Sequence, residues 1–486
     1  MTEEIRRRAS AFAAAALIFA LSSCGAASDS AAPAQTAAPS GGADGTAAVE
    51  ETTMLMPDVP DDLNYGGYDF RFLNGNTSEW MTIFVVTAEE QNGEAVNDAI
   101  YARNLRTEEK LGVKISEIST NSAANTASKS IQAGDDAFDA VLLVMSDALT
   151  LLTKGCAVDY AQIPYVDLSK PWWVQGAQES QSLGGKNYYC ISLFDTTHYD
   201  GVRGLYFNKE ILKNFGLDDP YKLVDDGLWT IDRMQEMGEA VYGDLDGDGQ
   251  YSQNDMYGYT SWANVGVQAL LVGAGGIVSV AKDENDLPVF TLDSPEQTER
   301  MERVARLLSA PGFKSPFADS GNNGGVDFFK NGLTLFYSET MGNTQKLRSM
   351  DTDFGILPGA KYNEAQESYR HMGGNPYFTL VPVTSTDLSR TGAVLETLAW
   401  ASQDTIVPAF YDVLLNGKVA RDEESSRSLD IIFNSLTYYI PVSLDRICDG
   451  IGGMLWKGDT DFASWFAKNQ SKIEKDIEKT ISALNG

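Results

Sequence analysis

Cysteine is scarce in this chain of 486 residues, four in all. No disulfide framework can hold it together, so burial of apolar side chains must. Histidine is scarcer: only His198 and His371 occur, and neither stands in HExxH or a comparable metal spacing. Basic residues are in deficit, with 37 Lys and Arg against 68 Asp and Glu and a net charge of −31. That argues against a nucleic-acid binder, which shows a basic face, and against docking through a basic patch on an anionic membrane. After residue 24 no stretch is long and apolar enough to cross a bilayer. A GxSxG elbow, a Walker A loop, GxGxxG and CxxC are all missing. Among so many acids a carboxylate pair for glycoside hydrolysis can always be found, but the fold places such pairs, not the spacing. A hydrolase stays open without positive support.

The chain begins with an address. Arg6, Arg7 and Arg8 form a positive n-region, and Ala9 to Leu21 is an apolar run interrupted only by Ser10, too short to span by itself. Leu21-Ser22-Ser23-Cys24-Gly25 follows and resembles a bacterial lipobox, in which the cysteine is acylated and becomes the new N-terminus. More than one acyl chain gives a stable anchor. The competing reading is an ordinary secretory signal with an incidental cysteine. Residues 25–57 are rich in Ala, Ser, Gly, Thr and Pro, bury too little to offset their ordering entropy, and read as a disordered tether reaching about 30 Å. Cys156, Cys190 and Cys448 remain; an odd number leaves at least one thiol unpaired, and small buried apolar roles suit all three.

Apolar residues at 43% and charged residues at 22% are a globular composition, and the length predicts two to four domains or two large lobes. Tyr68 to Leu73 alternates as a strand. A helix over 95–111 is stopped by Gly112, and Val113 to Ile118 is a second strand. Ala140 to Met145 is an unbroken apolar run that suits a parallel strand covered on both faces. Ser146 and Asp147 then read as an N-cap for a helix over 148–154. This β-α-β-α alternation predicts an α/β architecture with mainly parallel sheets. Further on, Leu205 to Asn208 is a strand followed by a helix over 209–215. A helix covers 231–241, Ser294-Pro295-Glu296-Gln297 starts another, and 333–337 and 354–357 read as strands. The last helix has Phe462, Trp465, Phe466, Ile473, Ile477, Ile481 and Leu484 on one face.

The strongest local motif is Asp244-Leu-Asp246-Gly-Asp248-Gly249-Gln250-Tyr-Ser252-Gln-Asn-Asp255. It fits the twelve-residue calcium template: side-chain oxygens at positions 1, 3, 5, 9 and 12, a backbone carbonyl from Gln250 at position 7, and Gly249 at the sharp turn. Position 12 is Asp255 where the template has Glu, and the shorter side chain puts affinity in question. A solvated acidic turn is the alternative. A bound calcium ion has a structural role here, pinning the loop between helix 231–241 and the strand Tyr257-Gly258-Tyr259.

Several segments in order resemble family 1 of the extracellular solute-binding lipoproteins of ABC importers, the sugar-binding class. They are Gly204-Leu205-Tyr206-Phe207-Asn208-Lys209-Glu210, Gly227-Leu228-Trp229-Thr230-Ile231-Asp232, the acidic loop ending in Asp255-Met256-Tyr257-Gly258, and Asp353-Phe354-Gly355-Ile356-Leu357-Pro358. The likeness spans about 65–440. It implies two α/β lobes of periplasmic-binding-protein type, closing over a ligand in the cleft between them. Crossings fall near 203–206, 353–358 and 403. Lobe one takes 65–202 and 358–402, and lobe two takes 204–353 and 404–486. It also implies a monomeric binder, not an enzyme, that passes a small solute, a sugar or oligosaccharide first, to permease subunits from the outer face of the membrane. A surface-anchored polysaccharide hydrolase and a sensing or adhesion protein are the alternatives.

Ligands of open α/β sheets sit outside the carboxyl ends of the strands. The aromatics Trp80, Trp262 and Tyr337 at those ends can stack on a sugar, and Asp147 and Glu339 can accept from its hydroxyls; for Asp147 the capping role competes evenly. Tyr199 and Tyr377 lie near the crossings. Trp172-Trp173 read as packing against a sheet edge, and Trp229 and Trp400 as core.

Overall fold

The computed structural model describes residues 55–75, 85–249, 252–313, 324–374, 376–416, 422–438 and 444–484. The expected signal over 1–24, with Cys24, and nearly all of the tether lie outside these residues. In chain order the strands are β1 (Tyr68–Asn74), β2 (Val113–Ser119), β3 (Ala140–Leu143), β4 (Arg203–Asn208), β5 (Tyr257–Ser261), β6 (Val280–Lys282), β7 (Pro288–Phe290), β8 (Thr334–Thr340), β9 (Phe354–Leu357), β10 (His371–Met372), β11 (Phe378–Leu380) and β12 (Leu436–Thr437).

Two four-stranded sheets organise the chain. The first has the order β11-β3-β1-β2, with β1 parallel to both β2 and β3 and β11 antiparallel to β3. In β1 the alternation read from the sequence holds: Phe70 and Phe72 are fully buried, while Asp69 is exposed and Arg71 part-exposed. The helix Ala95–Leu111 ends where expected, with Gly112 at φ +60° and its N–H bonded to Glu108. A β-carbon there would also lie 2.3 Å from Asn64 Oδ1, so conformation and crowding both demand glycine.

The run Ala140 to Met145 divides. Its first four residues form β3, all fully buried, but the helix Met145–Leu152 already begins at the end of the run. Its N-cap is Val144, without a side-chain cap, and Asp147 sits in its first turn. The capping role expected of Ser146 and Asp147 is therefore wrong: a tight strand-to-helix turn leaves no room for an extra capping residue. The helix Ala123–Ala133 gave no clear periodic signal, being made mainly of alanine and small polar residues.

The second sheet has the order β5-β8-β4-β9. β5 runs parallel to β8, and β4 is antiparallel to β8 and β9, so this sheet is mixed and not mainly parallel as expected. Caps fix the helices around it. Asn208 Oδ1 accepts from the N–H groups of Glu210 and Ile211 at 3.0 Å each. Thr230 starts Ile231–Val241, and Ser294 starts Pro295–Ser309 with Pro295 in its first turn. Trp229 is fully buried and donates its indole N–H to the Pro358 carbonyl at 2.9 Å.

Each sheet has its own core. Leu73, Val141, Leu143, Leu151, Ile191 and Phe378 belong to the first; Phe207, Trp229, Met234, Tyr259, Leu308 and Phe336 to the second. The chain returns to the second later than residue 404, because the helix Ile406–Asn416 still packs on Ala95–Leu111. By Asp422 it is back, with Tyr221 donating to that carboxylate at 3.1 Å. Leu436 and Tyr438 then lie against the first core again. The C-terminal helix Phe462–Leu484 serves both: Phe462, Trp465, Phe466, Ile473 and Ile477 pack on the second core and Leu484 on the first. Among the described residues no helix is long and apolar enough to cross a membrane.

Trp172 and Trp173 are buried, and both indoles donate at 2.9 Å to Glu396, one to each carboxylate oxygen. The Asp167 N–H adds a third bond at 3.3 Å. Cys156 and Cys190 are buried free thiols. Burial pushes the Glu396 carboxyl up to about 7, against the pull of the indole donors. Between its ordinary range and pH 7 the folded chain then holds a proton that the unfolded chain releases, so this group lowers stability as pH rises through that window. Compared with Glu396→Gln, the wild type is expected to lose up to about 3 kcal/mol between pH 5 and pH 8, read by urea unfolding at each pH. A difference that does not move with pH would remove this account of Glu396.

Candidate ligand site

At one end of the second sheet three strands converge. β5 and β8 finish side by side, Ser261 opposite Ser338, and β4 begins there with Arg203 opposite Thr340. Tyr337 and Glu339 are two apart on β8 and so share a face. The Tyr337 hydroxyl donates to Glu339 Oε2 at 2.7 Å. Trp262, the residue after β5 and the N-cap of the helix Ala263–Val272, donates its indole N–H to the same oxygen at 3.2 Å. The other oxygen accepts the Thr340 N–H at 2.7 Å and the Asn343 amide at 3.3 Å.

Glu339 is 1% exposed and Trp262 36%: a buried carboxylate holds a half-open aromatic. Arg203 lies 3.8 Å from Glu339 Oε1 and donates to the Ser338 carbonyl at 3.3 Å, while its Nε is buried without a partner. Tyr337 stacks on Phe329 at 5.5 Å. Burial, with the Glu339 charge beside it, pushes the Tyr337 phenol far up, so it stays a donor at any physiological pH.

The first sheet contributes a second group. Asp147 is part-exposed beyond the carboxyl end of β3, and burial raises its carboxyl from the ordinary range. Tyr377 immediately precedes β11 and is 1% exposed. Its phenol is pushed up to about 12, first by burial and then by the charges of Asp195 and Asp147, which makes both acids its neighbours. The Tyr377 N–H donates to Asp195 Oδ2 at 2.9 Å. Asp195 Oδ1 accepts the N–H and hydroxyl of Thr197 at 2.9 and 2.6 Å, and burial still lifts its carboxyl to about 7.

Trp262, Tyr337 and Glu339 are thus brought together, and Asp147 and Tyr377 are brought near each other. Tyr199 is placed differently: it is 3% exposed and lies against Phe410 at 5.0 Å and Phe433 at 6.1 Å, enclosed between helices instead of presented to solvent. Trp80 lies outside the described residues. Sequence reasoning missed Arg203, Asn343 and Asp195. Arg203 carried a signal, a cation opening an otherwise apolar strand; Asp195 carried none, because its Tyr377 partner is remote in sequence, and Asn343, only four residues from Glu339, lay beyond the strand as read from the sequence.

In the acidic loop the carboxylates of Asp244, Asp246 and Asp255 have oxygens within 4.8 Å of one another. Asp244 accepts the N–H groups of Gly247 and Gly249 at 2.6 and 2.8 Å, and these bonds draw its carboxyl below the ordinary range. Asp255 is fully buried and accepts from the N–H groups of Leu245 and Ser252. Asp248 is exposed, the Ser252 hydroxyl accepts the Asn254 N–H at 3.0 Å, and Gln250 lies outside the described residues. Gly243 and Met256 pair across the neck of the loop.

No protein-family model matches the chain, and no curated protein matches its sequence. Solved structures do match. A sugar transporter of Rhizobium etli in an open conformation is 14% identical over 86% of this chain and 100% of its own, with a TM-score of 0.54. A family 1 extracellular solute-binding protein of Bifidobacterium longum subsp. infantis is 14% identical over 86% and 99%, with a TM-score of 0.53. A cyclo/maltodextrin-binding protein complexed with maltotetraose is 14% identical over 86% and 96%, with a TM-score of 0.51. With its two sheets, its two cores and a chain that passes repeatedly between them, this protein has the two-lobed α/β fold of the periplasmic binding proteins.

Proposed function

We propose that this protein is the substrate-binding component of an ABC importer and captures a small solute, a sugar or oligosaccharide, for delivery to permease subunits. The observation that carries the reading is Trp262, a half-open aromatic keyed by its indole N–H to a fully buried carboxylate on a neighbouring strand. An aromatic face fixed at one edge is a platform for the apolar face of a pyranose, and nearby acids accept from its hydroxyls. On the other lobe the proposed contact is Asp147, part-exposed beyond the carboxyl end of β3 with the buried Tyr377 nearby. The structural neighbours support the same ligand class: one is a sugar transporter and another holds maltotetraose.

Binding without conversion suits Glu339. Its oxygens are already taken by indole, phenol and backbone donors, which leaves it an orienting group instead of a proton shuttle. Solute contacting both lobes favours the closed state by its preference for that state. In calorimetry maltotetraose is expected to bind the wild type, and Trp262→Ala to weaken binding at least about tenfold, the 1.4 kcal/mol of a lost stacking contact. Absence of heat with maltotetraose and other oligosaccharides, or a hydrolysis product on chromatography, would sink the reading.

The acidic loop fits a hard cation: three convergent carboxylates, and Gly247 and Gly249 both at φ +73° where the chain turns back. Its proposed ion is calcium, with Asp244, Asp246, Asp248, Gln250, Ser252 and Asp255 as ligands. It would tie the end of helix Ile231–Val241 to β5 and so to Trp262. Millimolar calcium is expected to raise the melting temperature by a few degrees over a chelated sample, and Asp244→Asn to abolish the rise. Equal melting with and without calcium would remove the ion from the account.

Acylation at Cys24 would hold the protein on the outer face of the membrane. Cys24→Ser is expected to move it from the membrane fraction to the soluble one; an unchanged distribution would leave the cysteine incidental.

A further inference from the structure

Besides the chain crossings, a set of polar contacts ties the second core to the first. β6 and β7 form a hairpin rooted in the second core through Val280 and Phe290. In its turn, Asp283 Oδ1 accepts the N–H groups of Asn285 at 2.8 Å and Leu287 at 2.9 Å. Asp286 then stands at φ +60°, the left-handed region that strains a side chain other than Gly, Asn or Asp.

Asp286 reaches residues 182–186, a turn whose Leu183 is 1% exposed in the first core. Its carboxylate accepts from the Ser182 hydroxyl at 3.0 Å and the Gly185 N–H at 2.9 Å, and its carbonyl accepts the Gly184 N–H at 3.0 Å. Lys282 pairs with Asp286 at 2.7 Å and donates to the Glu179 carbonyl at 2.6 Å and the Ser182 hydroxyl at 2.7 Å. Leu287 of the hairpin and Leu484 of the C-terminal helix each come within 3.9 Å of where a β-carbon on Gly184 would stand. Two segments rooted in the second core therefore meet on one turn of the first.

That turn is set off from the chain crossing. The helix Gln175–Gln181 leads to it, and Gly176 at the start of that helix faces Leu436 and Tyr438 of the crossing segment. Seven helical residues rise about 10 Å. A lobe rotation of roughly 15° about the crossing moves a point at that distance by about 2–3 Å, more than a hydrogen bond tolerates.

We propose that Asp286, Lys282 and the turn 182–186 form a latch that holds the two lobes in the arrangement described here and releases when they move. Its strength then enters the free energy of any step that needs a different lobe arrangement, because a ligand that selects that arrangement must favour it by more than the latch favours this one. The proposal regulates the site of the proposed function and rests on the two lobes moving, not on the identity of the solute.

The test uses ligand-free full-length protein. Asp286→Gly removes the carboxylate and keeps the left-handed backbone without strain; Lys282→Met removes the charge and keeps the stem. Both are compared with wild type by small-angle scattering and by hydrogen exchange. In each variant the radius of gyration is expected to shift, and exchange at Gly184 and Gly185 to speed up about tenfold or more, with the amides of β4 and β8 still protected as a check on folding. Unchanged scattering overturns the latch even if Gly184 and Gly185 exchange faster, since the contact then orders only its own turn. Because no sugar is present, failure of the sugar reading leaves the result intact.

Discussion

Buried carboxylates held by neutral donors set the terms for this molecule. Of the buried acids, Asp139 pairs with Arg71 and Arg390, but others are satisfied mainly without a cation. Glu396 takes two indoles, Asp195 takes a threonine and the backbone of Tyr377, and Glu339, with Arg203 3.8 Å away, is hydrogen-bonded by an indole, a phenol and a backbone N–H. Each arrangement answers the desolvation cost with oriented N–H and O–H groups. Each also fixes the donors in place, and the candidate site is a by-product of one such arrangement.

The three differ in what they leave over. Around Glu396 the donors are enclosed, and the result is a rigid joint between the segment carrying Trp172 and Trp173 and the helix Leu388–Ala401. Around Asp195 the result joins the segment before β4 to the segment before β11. Around Glu339 one donor, Trp262, keeps a third of its surface free. An aromatic ring whose edge is spent on a carboxylate and whose face is not is suited to a ligand that offers C–H groups.

Local signals made much of the fold legible. Gly112, Thr230 and the Ser294-Pro295 pair marked helix ends that stand where the sequence put them, because caps act within one turn. Tyr337, Glu339 and Trp262 stand out in the sequence only by their place at strand ends; the strand read over 333–337 in fact runs from Thr334 to Thr340, which puts Tyr337 and Glu339 on one face. What was not legible depends on partners far away. Asp147 matched a capping pattern, but the preceding turn was tight enough to start the helix at Met145. The stretch from 404 is expected in lobe two, whereas the helix Ile406–Asn416 packs on Ala95–Leu111 of the first. Tyr199 lay near a crossing in sequence and was enclosed there by Phe410 and Phe433, from segments more than two hundred residues on.

The same discontinuity governs how the molecule comes into being. The first sheet begins at Tyr68 but lacks its antiparallel edge until Leu380 has been made, and the second starts at Arg203 and is completed only by Leu357. Leu484, nearly the last residue of the chain, reaches the core of the first. A nascent chain leaving the ribosome can finish neither half early, and contacts of such long sequence separation form slowly. Slow assembly leaves the apolar segments of both halves exposed for longer before they are buried.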